Sequence, residues 1–304
     1  MEHLSLDLWA ANLEVQPVDL AGWLARVEQH LAATAARGGH MLVMPEYACA
    51  QWICFASPDL PAAGQLGWLA DTGAEALAAM AALSRHYGVS LLPGTIPQRI
   101  GMRDGVPTFA NRAWLLTPDG GRFHQDKLSL TPLEQQSAAG ITVPGDRIHV
   151  IRWNGLRLAI AVCLDVEFTD LWARLGRLDL DLVLVPAKTD MITGYNRVFG
   201  SARARAIELQ TAVCAVGAVG VPLGHPMTDT GVGGATAFLP CDVSLSLDGV
   251  FASVPPHAAA AGTDPVLVVS NLPVGGCRRI RNGSAEAEVA PASWSAEHLI
   301  IREI

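Results

Sequence analysis

Leu158-Ala159-Ile160-Ala161-Val162-Cys163-Leu164-Asp165 is the stretch whose reading decides the fold of this chain. An unbroken apolar run of this length marks a strand buried on both faces. Asn154-Gly155 stands between a strand pattern over 148–153 and one over 156–162. That dipeptide is the strongest short-range hairpin signal, because both residues accept a positive φ. A helical pattern follows over 169–178. Cys163 is therefore expected at a strand end, a few residues before a helix. Such an elbow projects a side chain outward, and helix N-terminal dipoles close by would lower the pKa of a thiol.

Outward from this stretch, strand-like and helix-like segments alternate. A strand over 4–10 precedes a helix over 18–37, in which Leu20, Trp23, Leu24, Val27 and Leu31 recur at spacings of three and four. Gly38-Gly39 ends it. A short strand over 41–44 stops at Pro45, a helix over 74–87 closes at Gly88, and strands follow over 89–93 and 110–117. On the far side, strands are expected over 182–185, 211–216, 233–239, 243–247 and 266–271, with a helix over 195–210. The Ala/Pro-rich segment 255–262 reads as a loop. This pattern specifies an α/β layered fold, with helices covering sheets that also contain hairpins. It gives one domain, 1–272, and a C-terminal extension, 273–304, whose apolar end from Trp294 to Ile304 is expected to pack on the domain or on a partner subunit.

Composition narrows the class. Of 304 residues, 50 % are hydrophobic and 16 % charged, which suits a well-filled core rather than a disordered chain. A net charge of −8 offers no electrostatic footprint for nucleic acid, and Arg278-Arg279-Ile280-Arg281 is a short solvated run. The first residues lack a basic segment followed by an apolar one. No apolar run approaches the ~20 residues of a membrane span, so the expected location is cytoplasmic, away from membranes. The six cysteines form no CxxC pair and have no His at zinc spacing, so no metal is expected. Five read as buried small hydrophobes in a reducing compartment.

Lysine occurs only twice, at Lys127 and Lys188, among 21 Lys and Arg residues. Lys127 opens Lys127-Leu128-Ser129-Leu130-Thr131-Pro132-Leu133-Glu134, while Lys188 also follows a strand, over 182–185, where it could line the same mouth but reads more simply as a surface cation. Glu46 ends Met44-Pro45-Glu46, past a buried strand. There, active sites of α/β sheets collect, and partial burial raises a carboxyl pKa toward the range of a general base. A carboxylate, an ammonium beside a thiol, and the thiol itself are the parts of a cysteine hydrolase with Glu as its base.

In that combination the chain resembles the nitrilase superfamily of carbon–nitrogen hydrolases, in its amidase-like branch. The resemblance rests on Met44-Pro45-Glu46, on Lys127 with Leu130, Pro132 and Glu134, and on Cys163-Leu164-Asp165 with Phe168. Pro144-Gly145-Asp146, Arg205-Ala206-Ile207-Glu208 and the segment from Gly234 to Pro240 support it. It implies a four-layer αββα sandwich of the nitrilase type. It also implies Glu46 as general base, Lys127 as oxyanion stabiliser, Cys163 as nucleophile, Glu134 as a supporting carboxylate, and no cofactor. Tyr47, Leu164 and Thr189 are the expected substrate contacts. The implied reaction is hydrolysis of a small amide or N-carbamoyl compound by way of a thioester, in a homodimer or larger homo-oligomer. Nitrile hydrolysis and acyl transfer are its nearest alternatives, and a non-catalytic binding domain is the alternative of another class. Leu164-Asp165 stands where nitrile-hydrolysing members carry Trp-Glu, which favours the amide. Asp165 is expected to cap the following helix, and Arg205 with Glu208 to form a structural ion pair.

Overall fold

The computed structural model of the protein describes residues 1–136, 140–221, 231–258, 264–284, 298–300 and 302. Numbered in chain order, one sheet holds β1 (Leu4–Trp9), β2 (Met41–Val43), β3 (Ser90–Leu92), β4 (Thr95–Arg103), β5 (Val106–Leu116), β6 (Arg122–Asp126), β7 (Ile141–Thr142) and β14 (Val266–Leu272). Its order is β14-β1-β2-β3-β5-β4, with β6 and β7 both pairing to β5. The other holds β8 (Ile151–Trp153), β9 (Leu156–Ile160), β10 (Leu182–Ala187), β11 (Ala212–Gly217), β12 (Gly233–Phe238) and β13 (Val250–His257), in the order β13-β12-β11-β10-β9-β8.

Side-chain alternation along the strands places the four layers. Leu4, Leu6 and Leu8 of β1, with Met41 and Val43, join the core shared with the second sheet. Trp9 and Leu42 point the other way, against Trp23, Val27 and Leu31 of α1 (Leu20–Ala36) and Leu69 and Met80 of α2 (Gln65–Tyr87). The outer face of the second sheet is covered by α4 (Thr169–Leu175) and α5 (Ile192–Leu209), through Trp172, Leu175, Val198 and Phe199. The short α3 (Pro132–Gln135) and α6 (Val274–Arg279) lie outside these layers in sequence order. This is the αββα sandwich that the resemblance implied.

The 154–155 hairpin forms as expected: Asn154 and Gly155 have φ of 48° and 75°, and Trp153 pairs with Leu156. Elsewhere the structure corrects the sequence reading. Helix α2 begins at Gln65 rather than at 74, because Gly73 does not break it. A Cβ there would lie 2.5 Å from Ile96 Cγ2, so glycine instead lets the helix press onto β4. The second-sheet helix stops at Leu175, three residues early. Residues 243–247 are no strand, because Asp242 closes a turn by accepting the backbone N–H of Ser244 at 2.8 Å. The strand is β13, read from sequence as part of a loop. Its Pro255 and Pro256 are tolerated because β13 is an edge strand. Strands β4 and β6 were not anticipated. The former turns into β5 through Asp104-Gly105, both at positive φ.

Past residue 272, α6 and the residues after it are tied to the sandwich. Arg278 and Arg281 both pair with the buried Asp181, at 2.6 and 3.1 Å, and the Gly275 N–H donates to the Glu2 carbonyl at 2.9 Å. Residues 294–297, 301, 303 and 304 of the expected docking tail lie outside the described residues. Among the described ones, Leu299 and Ile300 are exposed.

Candidate active site

Glu46, Lys127, Glu134 and Cys163 come from four separate segments and meet between the sheets' ends. Glu46 follows β2, Lys127 follows β6, Glu134 lies in α3 and Cys163 follows β9. Two of these turns are strained. Tyr47 and Cys163 have φ of 54° and 49°, a left-handed conformation that non-glycine residues adopt at a cost. Behind Glu46, Gly94 has φ of 76°, and a Cβ on it would stand 1.8 Å from the Pro45 carbonyl oxygen. Only glycine lets that strand end approach.

The ammonium of Lys127 lies 2.8 Å from Glu46 Oε1 and 2.7 Å from Glu134 Oε2, and all three side chains are almost fully buried. Glu134 is held by a capping box at the start of α3: its carboxylate accepts the Thr131 N–H at 2.9 Å, and the Thr131 hydroxyl accepts its own N–H. Glu46 Oε2 accepts the backbone N–H of Lys188 at 3.0 Å, and the carbonyl of that residue receives the Cys163 thiol at 3.5 Å. The Lys188 backbone thus holds both groups, and the Glu46 carboxylate acts electrostatically on the thiol.

Electrostatics divides the roles of the two carboxylates. Burial raises the Glu46 carboxyl above its ordinary value, although Lys127 opposes the shift. Burial also works on Glu134, but there Lys127 and the hydrogen bonds from Thr131 and Asn111 prevail, and its pKa falls. Burial disfavours the Lys127 charge, yet Glu46 and Glu134 outweigh it and hold the ammonium well above its usual pKa. Burial, then Glu46, push the Cys163 thiol well above its ordinary value. The lowering expected from a helix dipole is overturned, since Cys163 opens only a short 3-10 turn and is itself buried. The thiol waits neutral, next to a base with raised proton affinity.

Three residues have tasks that the sequence reading did not give them. Asp165 does not cap the following helix α4: it accepts backbone N–H bonds from Leu128 at 3.1 Å, Ser129 at 2.7 Å and Val162 at 3.1 Å. It thereby ties the Lys127 segment to the Cys163 turn. Burial pushes its carboxyl up to about 6 despite those donors. Lys188 is no surface cation, since its side chain is only 7 % exposed and lines the same cavity. Asn111, on β5, was missed altogether. Its Nδ2 donates to Glu46 at 2.8 Å and to Glu134 at 2.9 Å, while its buried Oδ1 has no hydrogen-bond partner among the described residues. An amide that leaves its own carbonyl unpaired forgoes about 1–3 kcal/mol, so its orientation is set by the two carboxylates. No sequence signal marks it, beyond being a polar residue in an apolar strand.

The cavity holds about 340 Å³ and is walled by Tyr47, Pro132, Leu133 and Leu164, with Glu46, Lys127 and Glu134 at its base. Thr189 is buried beside it, and its hydroxyl donates to the Val232 carbonyl at 2.6 Å rather than lining the space. Arg205 pairs with Glu208 as expected, and its Nε donates to the Val166 carbonyl at 3.1 Å, bracing the turn after Cys163. Of the other cysteines, Cys49, Cys214 and Cys277 are buried as expected, but Cys54 is half-buried and Cys241 exposed. Among the described residues no group of His, Cys, Asp and Glu is arranged to hold a metal, and no helix is long and apolar enough to cross a membrane.

Comparison with known proteins places this site in context. The carbon-nitrogen hydrolase family matches residues 10–239. A probable hydrolase, YhcX of Bacillus subtilis, is 31 % identical over 148 residues, which are 48 % of this chain and 28 % of that protein. An (R)-stereoselective amidase of a Pseudomonas species is 31 % identical over 77 residues, 25 % of this chain and 27 % of its own length. The chain thus spans just over a quarter of these curated relatives. Among solved structures, an amidase from Nesterenkonia sp. AN1 superposes with a TM-score of 0.65 at 21 % identity, over 88 % of this chain and 92 % of the other. The same enzyme as a mutant in complex with butyramide gives 0.66 at 20 % identity, over 91 % and 94 %. With its sandwich fold and a family match over most of its length, the chain belongs to the carbon-nitrogen hydrolase family.

Proposed function

We propose that the protein hydrolyses the C–N bond of a small amide or N-carbamoyl compound through a thioester on Cys163. The observation that carries this reading is that Glu46, lining the cavity, binds the Lys127 ammonium and the Lys188 backbone N–H, while the carbonyl of that same Lys188 receives the Cys163 thiol. Glu46 takes the thiol proton as Sγ attacks the carbonyl carbon. The oxyanion forms between the Lys127 ammonium and the Leu164 N–H. As the C–N bond breaks, Glu46 returns the proton to the departing nitrogen, and ammonia or an amine leaves a thioester behind. Glu46 then takes a proton from water, the hydroxide attacks the thioester carbon, and cleavage of the C–S bond restores the thiol and releases the acid. Glu134 keeps Lys127 charged and in place. The Nesterenkonia amidase, whose active-site cysteine has been captured with the acetamide moiety of fluoroacetamide, supports the same course here. Incubation with small amides, N-carbamoyl compounds and nitriles tests it, with ammonia measured and intact mass followed. Ammonia from amides with a transient acyl adduct on Cys163 is expected, and its absence from every compound refutes the reading.

Because Glu46 must be ionised to accept the thiol proton, kcat/KM rises with pH through the raised Glu46 pKa, above the usual carboxylate range. Asn111→Ala removes a donor that favours the ionised form. The acid limb should move to higher pH, and kcat/KM at neutral pH should fall by roughly tenfold or more, the scale of one hydrogen bond to a charged group. A profile unchanged from wild type would show that Asn111 only fills space.

The same proposal includes a cytoplasmic location and a homodimer, with residues 273–304 an extension of a domain spanning 1–272. The helix after Cys163 offers little pairing surface of its own, because Trp172 and Leu175 are buried inside their own subunit. What remains are Phe168 at its start and the exposed Met191 and Ile192 at the start of α5. Sedimentation at micromolar concentration should return a dimer, and a monomer there removes this part of the proposal.

A further inference from the structure

Asp165 stands two residues past the nucleophile and takes no part in the proton transfers, yet it is fully buried. Its carboxylate accepts from the backbone of two segments. Oδ1 receives the Ser129 N–H at 2.7 Å, Oδ2 receives the Val162 N–H at 3.1 Å, and the Leu128 N–H is shared at 3.1 Å to each oxygen. One segment carries Lys127 and the other carries Leu164, the two donors between which the oxyanion forms. Lys127 is also tied to the first sheet, its N–H donating to the Asn111 carbonyl at 2.9 Å and its carbonyl accepting from Gly145 at 2.8 Å. The Cys163 turn instead extends from β9 of the second sheet. Asp165 joins the two sheets where the oxyanion forms. Its own backbone is anchored too. Its N–H donates to the Val162 carbonyl at 3.1 Å, its carbonyl accepts from Trp172 Nε1 at 3.1 Å, and Arg205 lies 5.9 Å from the centre of that indole.

We infer that Asp165 is a positioning residue, whose carboxylate sets the spacing between the Lys127 ammonium and the Leu164 N–H. The inference rests on the amide-hydrolase reading above. Holding an ionised carboxyl group this deep costs stability, and burial lifts its pKa to about 6. What the charge secures is acceptance at both oxygens, which an asparagine lacks. With the asparagine oxygen toward Ser129, its NH2 confronts the Val162 N–H, and in the opposite flip it confronts that of Ser129. Either way one segment is released while the other stays bound. The substrate oxygen gains its charge only as the carbon becomes tetrahedral. An error in donor spacing therefore falls on the transition state rather than on ground-state binding.

The test measures kcat and KM for ammonia release from an amide that the wild type hydrolyses, butyramide first. It adds the inhibition constant of butyraldehyde, the aldehyde of the same chain. Sγ of Cys163 adds to the aldehyde carbon, the C=O π pair moves to oxygen, and Glu46 takes the thiol proton. With no leaving group the adduct stops at the tetrahedral stage, its oxygen between the two donors. Asp165→Asn should lower kcat by on the order of 10- to 100-fold, the scale of a misplaced catalytic group. KM should stay near wild type, and aldehyde affinity should fall in step with kcat. Asp165→Glu keeps the charge one methylene further out and should lie between the two in both quantities. It carries the test should the asparagine variant not fold. A kcat near wild type in Asp165→Asn, or in Asp165→Glu where only that variant folds, overturns the inference. So does a loss confined to KM, or a loss of kcat with aldehyde affinity retained. Each of these leaves the hydrolase reading standing, whereas absence of ammonia from every amide with the wild type overturns both.

Discussion

Cys163→Ala is expected to lower ammonia release from a small amide by on the order of 10⁴-fold or more, the scale on which removing a nucleophile from a coupled catalytic set acts. No neighbour can replace it. Glu46 and Lys127 remain, but without Sγ no thioester forms, and the acyl adduct should vanish from the intact-mass spectrum. Folding should survive. Cys163 is 4 % exposed and gives up one atom, while its left-handed backbone, at φ 49°, is no worse for alanine than for cysteine. Thermal unfolding close to wild type, with activity lost, is the expected pair of results. Full activity in the variant would end the cysteine-hydrolase reading. General alkylating reagents are a poorer probe, because Cys241 is exposed and the resting Cys163 thiol is buried and neutral.

Lys127→Arg is expected to lower kcat by on the order of 10²-fold or more, the scale for losing one oxyanion donor. The charge is kept, but the site is dimensioned for a compact ammonium, 2.8 and 2.7 Å from two carboxylates and 2 % exposed. A planar fork cannot meet both carboxylates and still leave a donor at the developing oxyanion. Lys127→Met probes the other consequence. Removing the cation between Glu46 and Glu134 leaves buried carboxylates uncompensated, which costs about 3–5 kcal/mol of stability. It should lower the unfolding temperature as well as activity. An arginine variant near wild-type kcat would show that Lys127 is no oxyanion donor.

The central hairpin, the buried strands and the helices over both faces could be read from the sequence because each has a local cause. Asn154-Gly155 demands its turn, and the spacing of Trp23, Val27 and Leu31 demands a helix face. The failures share a physical cause too. The helix expected over 74–87 extends back through Gly73, which is a packing contact, and Pro255-Pro256 looked like a loop and lies on an edge strand. In each case a distant neighbour decided what the local residue meant.

The same division runs through the site. Glu46, Lys127, Glu134 and Cys163 could be named in advance, because three of them stand in short motifs at strand ends and the family resemblance adds Glu134. What sequence could not contain is the set of contacts made across long separations. Asn111 meets Glu46 across 65 residues, Asp165 meets Leu128 across 37, and the Lys188 backbone meets Glu46 across 142. Proton affinities belong with these contacts. The thiol pKa was expected low from the elbow alone and is high, because the desolvation and the carboxylate that raise it come from strands far away in the chain. Residue types fixed which reaction was open to this protein. Only the packing of two sheets decided where each proton rests, because burial and charge pairing are properties of the assembled interior.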